Sequence, residues 1–169
     1  MNFFLLIVIV FLVGCSSPKQ NNLRFFEDYE NTRGWLSVQL ENGFAYSGKY
    51  AQKVSTENEY SQGFLLSLAE TDIQPLKKIK TKVRIASAQI DGDIFLVIDI
   101  FSPSANKSIA YNSGKNWGSE IKKNKAWAPC SNEMEIPATA RANDIVKVYV
   151  WNPKHQQFFM DDFEVIFEK

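Results

Sequence analysis

After residue 24, apolar positions recur with a period of two or as short continuous runs, and Gly, Asn, Asp, Ser or Pro interrupts each stretch. That is the pattern of strands, because a helix would bring its apolar stripe back every three to four residues. It predicts strands over residues 23–26, 36–40, 50–56, 63–69, 79–90, 94–101, 107–111, 126–136, 145–151 and 157–167. Asn42-Gly43, Ser47-Gly48, Asp91-Gly92-Asp93 and Asn152-Pro153 supply the positive or fixed φ with which a chain reverses. Eight to ten strands at this spacing predict an all-β chain: one two-sheet antiparallel β-sandwich over residues 23–169.

The longer strands also show their phase. Ile94, Leu96, Ile98 and Ile100 form one uniformly apolar side, with Phe95, Val97, Asp99 and Phe101 on the other. Val146, Val148 and Val150 likewise oppose Lys147, Tyr149 and Trp151, and Ile79, Val83 and Ile85 oppose Lys80, Lys82 and Arg84. The apolar sides are assigned to the core. The outward sides combine into a mixed aromatic and charged surface, in which Asp99 is expected to pair with Arg84 or Lys82.

Composition limits what such a surface meets. With 19 Lys+Arg against 19 Asp+Glu, the chain has no global electrostatic attraction for nucleic acid. Thirteen Phe, six Tyr and four Trp supply a core without disulfides, and Cys130 is expected as a small buried thiol. One His excludes a multi-His metal site, and His155 has no Gly-x-Ser-x-Gly elbow to serve. No pair of carboxylates stands out for glycosidic chemistry. The chain is therefore expected not to be an enzyme.

Residues 1–14 carry no charged side chain, and the apolar run from Phe3 to Val13 is too short to span a bilayer. Leu12-Val13-Gly14-Cys15 resembles the lipobox of bacterial lipoproteins. The resemblance implies a signal peptide over 1–14, acylation of Cys15, a polar tether over 15–22 and attachment to a membrane. Ser16 differs from the acidic second residue that retains lipoproteins in an inner membrane, which implies an outer-membrane lipoprotein facing the periplasm or the surface. The leader departs from the usual pattern in having no Lys or Arg near Met1.

The mature part has marks of its own. Phe26-Glu27-Asp28, Gly34-Trp35, Ala45-Tyr46-Ser47-Gly48-Lys49-Tyr50-Ala51, Val148-Tyr149-Val150-Trp151-Asn152-Pro153 and Phe159-Met160-Asp161-Asp162-Phe163-Glu164-Val165 follow in order. Together they resemble the galactose-binding-like jelly roll of many carbohydrate-binding modules, in small lipoproteins of a type common in Bacteroidetes. The resemblance implies a β-sandwich that binds glycans without catalysis, often with one structural calcium ion.

Phe159, Asp161, Phe163, Val165 and Phe167 alternate onto one side of the last strand, and a carboxylate on such an apolar side needs a partner. The resemblance implies calcium held by Glu27, Asp161 and main-chain oxygens around Ser47 to Lys49; backbone amides or Lys49 are the alternative partners. Tyr149 and Trp151, with Lys147 and Asp99 beside them, are the candidate sugar-stacking residues, and Trp117 is expected to close one end of the strip from a turn-rich loop. Trp35 and Trp127 are assigned to the core. Two functions follow: a tethered, monomeric glycan-binding module, or an adaptor lipoprotein whose sandwich contacts a protein partner. In the first, truncating Trp151 should abolish binding and leave the melting temperature nearly unchanged.

Overall fold

A computed structural model describes residues 22–31, 39–72, 75–87, 90–124 and 126–169. The leader, Cys15, most of the tether, Trp35 and most of the strand expected over 36–40 lie outside the described residues. The strands are β1 (Asn22–Glu27), β2 (Leu40–Asn42), β3 (Tyr50–Val54), β4 (Phe64–Ser67), β5 (Lys78–Ala86), β6 (Phe95–Ser102), β7 (Lys107–Asn112), β8 (Ala128–Glu135), β9 (Ile145–Trp151) and β10 (Phe158–Glu168). They form two antiparallel sheets. One has six strands in the order β2-β3-β10-β5-β8, with β1 also paired to β10; the other has four, β4-β9-β6-β7. The two-sheet sandwich predicted from periodicity is the fold.

The core lies between the sheets and follows the strand phases. Leu96, Ile98 and Ile100 of β6 and Val146, Val148 and Val150 of β9 are fully buried against Ile79, Val83 and Ile85 of β5. Cys130, on β8, is buried as expected, and burial pushes its thiol up to about 12.

Two features break the simple alternation. Between Asp161 and Glu164, β10 carries one residue more than β5, and Asp162 takes a left-handed φ of 48°. The bulge switches the phase. Phe158 and Met160 face the core before it, Phe163, Val165 and Phe167 after it. Phe159 and Asp161 therefore lie on the opposite side from Phe163, which corrects the single aromatic side expected for this strand. Asp161 is opposite Arg84 in register, on the outer side of the six-stranded sheet.

The second feature is α1 (Gly118–Asn124), where the sequence suggested only a turn-rich loop. A Cβ on Gly118 would sit 1.8 Å from the Gly92 carbonyl oxygen, so only glycine lets the 91–93 turn press onto the helix start. Asn116 ties the two together, its Oδ1 accepting from the Ile94 and Gly118 amides at 3.2 and 2.9 Å. Ile121 of this helix and Trp117 just before it are buried in the core.

Candidate functional site

The outer side of the four-stranded sheet carries a continuous row of rings. Cross-strand register pairs Phe95 with Trp151, Val97 with Tyr149, and Asp99 with Lys147 on one flank and Tyr111 on the other. Directly opposed residues share a side, so the strand pairing itself assembles the row. Phe95 and Trp151 stack with centroids 5.2 Å apart, and Tyr60 meets Tyr149 edge-on at 5.5 Å. Lys147 Nζ lies 4.0 Å from the centre of the Phe101 ring.

Tyr60 comes from the connection before β4, which is laced to the end of β9. Ser61 donates its amide to the Val150 carbonyl and accepts from the Val150 amide through Oγ, while the Asn152 amide reaches the Glu59 carbonyl. Glu59 also accepts from the Trp151 indole at 3.1 Å. Trp151 thus lies between Phe95 and this connection, so its truncation is expected to affect stability as well as binding.

The floor of the row is drier than the sequence suggested. Val97 and Asp99, both outward by phase, are buried beneath the tyrosines. Asp99 Oδ1 has no hydrogen-bond partner among the described residues, although Lys147 is directly opposite in register. Burial, with Tyr111, Asp99 and Tyr60 nearby, holds the Tyr149 hydroxyl protonated well above the usual range. Tyr60 and Tyr111, at 50 % and 52 % exposure, offer the most open rings. Sequence reading missed both. Tyr60 lies outside any strand, and the register shift between Ile100 and Phe101 blurs the phase of β7.

The structure thus brings together Tyr149, Trp151, Lys147 and Asp99, as expected, but not Trp117. That indole is 8 % exposed in the core cluster, under Lys115, and its loop buries it rather than presenting it. The ion pair expected between Asp99 and Arg84 or Lys82 does not form, since β5 belongs to the other sheet; Lys82 pairs with Glu164 instead. Trp127 also departs from expectation. It is only half-buried, stacked on Phe44 at 5.5 Å on the outer side of the six-stranded sheet.

Asp161 is fully buried beneath the turn that precedes β3. Its Oδ2 accepts from the Tyr46 and Ser47 amides at 2.8 and 3.0 Å, and its Oδ1 from the Asp162 amide at 2.7 Å. Burial raises its carboxyl while these amides oppose the rise. Glu27 accepts from the Tyr29 amide, and Glu30 takes the Lys49 and Tyr50 amides, which hold its carboxyl low. The Lys49 carbonyl is bonded to the Gly43 amide. An oxygen of Glu27, both oxygens of Asp161 and the Lys49 carbonyl thus accept from N–H donors, while Ser47 is itself a donor, its amide to Asp161 and its hydroxyl to Asp162. Among the described residues no group of three or more His, Cys, Asp or Glu is placed to hold a metal. Backbone amides, the alternative partners, satisfy Asp161.

No family model and no curated protein matches the sequence. Solved structures do. The N-terminal CBM22 and catalytic modules of xylanase 10B from Clostridium thermocellum, solved with xylohexaose, align with a TM-score of 0.50 and 14% identity over 79% of this chain and 24% of that one. The CBM22-1 xylan-binding domain of Xyn10C from Paenibacillus barcinonensis aligns at 0.49 and 14% identity, over 89% and 88%. A cyclase from Fischerella sp. TAU aligns at 0.45 and 11% identity, over 90% and 91%. The fold is a jelly-roll β-sandwich.

Proposed function

We propose that this chain is a non-catalytic glycan-binding module that holds a neutral sugar chain on the outer side of its four-stranded sheet. The observation that carries the reading is the row Trp151, Tyr149, Tyr60 and Tyr111 beside a buried carboxylate with an unused oxygen. Flat rings cover the apolar faces of pyranoses, and hydroxyls and carboxylates set among them bond the equatorial edges. Lys147 and the Tyr111 hydroxyl are the donors, Tyr60 and Tyr111 are the stacking rings, and Asp99 is an acceptor for a ligand hydroxyl that enters between the tyrosines covering it. Acylation at Cys15 would present this surface at an outer membrane; Leu12 to Cys15 supports that part of the reading.

Xylohexaose, the ligand in the Clostridium thermocellum structure, is the first probe. Calorimetric titration should give a dissociation constant in the range of about 1 µM to 1 mM, since each ring contributes about 0.5–1.5 kcal/mol beyond its area. Tyr111→Ala should weaken binding about threefold to tenfold and leave the urea midpoint unchanged, because that ring is half-exposed. If a panel of neutral β-linked oligosaccharides gives no heat with the wild-type protein, the reading fails.

A further inference from the structure

The opposite side of the sandwich has its own built surface. At the β10 bulge the outer side of the six-stranded sheet opens into a groove of about 490 Å³ between β1, β10, β5 and β8. Its charged walls are Arg24, Lys82 and Arg84 against Asp162 and Glu164. Both carboxylates are already engaged: Glu164 with Arg24 and with Lys82 at 3.7 Å, and Asp162 with the Ser47 hydroxyl at 2.7 Å. Arg84 is different. Its guanidinium lies 4.4 Å over the Tyr46 ring, and no carboxylate among the described residues pairs with it. Asp161, opposite it in register, has turned its oxygens onto backbone amides.

Beyond Arg84 the groove runs into rings. Tyr46 meets Trp127 at 6.1 Å, and Phe44 packs on both Trp127 and Phe159, at 5.5 and 4.8 Å. Phe44 and Tyr46 are each 45 % exposed. A guanidinium supported from beneath by a ring keeps its N–H edge free for a bidentate acceptor, the geometry that matches a carboxylate. A net cationic groove leading onto an aromatic platform thus offers both things a carboxylated sugar presents, its charge and its apolar ring face.

We propose that the outer side of the six-stranded sheet is a second, independent binding surface for an acidic polysaccharide of the uronate class. A carboxylate docks on Arg84, and adjacent sugar rings lie on Tyr46 and Trp127. This surface does not depend on the neutral-sugar row of the other sheet.

Affinity electrophoresis of the full chain in gels containing polygalacturonate, neutral xylan or polyglutamate tests it. Polygalacturonate should retard the wild-type protein, and Arg84→Gln should weaken that retardation at least tenfold while leaving xylan retardation as it was. Trp151→Ala should do the reverse. Arg84→Lys, which keeps the charge but not the fork, should recover less than half of the lost affinity, and it serves as the readout if Arg84→Gln fails to fold. Lys82→Gln should matter less than Arg84→Gln, because Lys82 already faces Glu164 at 3.7 Å whereas Arg84 has no carboxylate partner among the described residues. The proposal is overturned by no retardation in polygalacturonate, by equal retardation in polyglutamate, or by equal losses in the Lys82 and Arg84 variants, since each points to no site or to diffuse charge. Loss of xylan retardation alone overturns the reading of the other sheet and leaves this one standing.

Discussion

The two outer sides of the sandwich both display aromatic rings, but they are built by different means. On the four-stranded sheet, Phe95, Tyr149 and Trp151 stand on strands, and ordinary cross-strand register lines them up. On the six-stranded sheet, Phe44 and Tyr46 arrive on a turn laid over the strands, and Asp161 clamps that turn by accepting the Tyr46 and Ser47 amides. The first arrangement is a consequence of periodicity and survives wherever the sheet survives. The second depends on a few polar contacts, with the buried Asp161 at the bulge taking two of the turn's amides, Asp162 the Ser47 hydroxyl and Glu30 the Lys49 and Tyr50 amides.

Removing the Asp161 side chain should separate the two sides most sharply. Asp161→Ala leaves three part-buried amides without their acceptor, at about 1–3 kcal/mol for each group that water does not reach. The expected loss is about 3 kcal/mol in urea unfolding, with Asp161→Asn, which keeps one acceptor oxygen, losing roughly half as much. Because amides already serve the carboxylate, calcium or a chelator should leave the wild-type midpoint where it is. Xylohexaose binding on the other side should persist in the variant at temperatures well below its midpoint. If calcium raises the wild-type midpoint and Asp161→Ala abolishes that rise, Asp161 holds a cation, and the amide clamp is the wrong description.

Trp151→Ala probes the strand-built side, where function and stability are joined. The indole stacks on Phe95 and bonds Glu59, so its removal should cost about 2 kcal/mol as well as the sugar affinity. Urea titration and calorimetry on one preparation measure both. A variant as stable as the wild type would mean that the connection through Tyr60 is held by its backbone bonds alone.

What the sequence makes legible follows the same division. Strand existence, the inward sides of β6 and β9, and the grouping of Asp99, Lys147, Tyr149 and Trp151 are local, period-two information, and they appear as expected. Trp117 was misplaced because a Gly-rich stretch reads as an open loop. The short distance from Gly118 to the Gly92 carbonyl, which closes it, joins segments far apart in the chain. The phase of Asp161 was misread because nothing in Asp161-Asp162 announces an extra residue, and a bulge reverses every side that precedes it. Which sheet a strand joins is equally invisible to periodicity. Lys82 and Arg84 were placed beside Asp99 by phase alone, whereas topology puts them on opposite sides of the molecule.

The smallest effect on stability, and the one that says most about the strand-built side, is expected from Asp99→Asn. Asp99 Oδ1 is buried without a partner among the described residues, and the ammonium of Lys147 rests on the Phe101 ring. A buried carboxylate with an unused oxygen detracts from stability, and the amide is nearly the same shape without the charge to desolvate. Asn at this position should therefore leave the protein as stable as before or stabilise it by up to about 1 kcal/mol. Sugar binding should move the other way. A charged acceptor makes a stronger bond to a hydroxyl than a neutral one, so xylohexaose affinity should fall about threefold to tenfold. Opposite signs in the two measurements would identify Asp99 as a group kept for its ligand at some cost to the fold. Loss of stability without loss of affinity would assign it instead to the packing beneath Tyr111 and Tyr149.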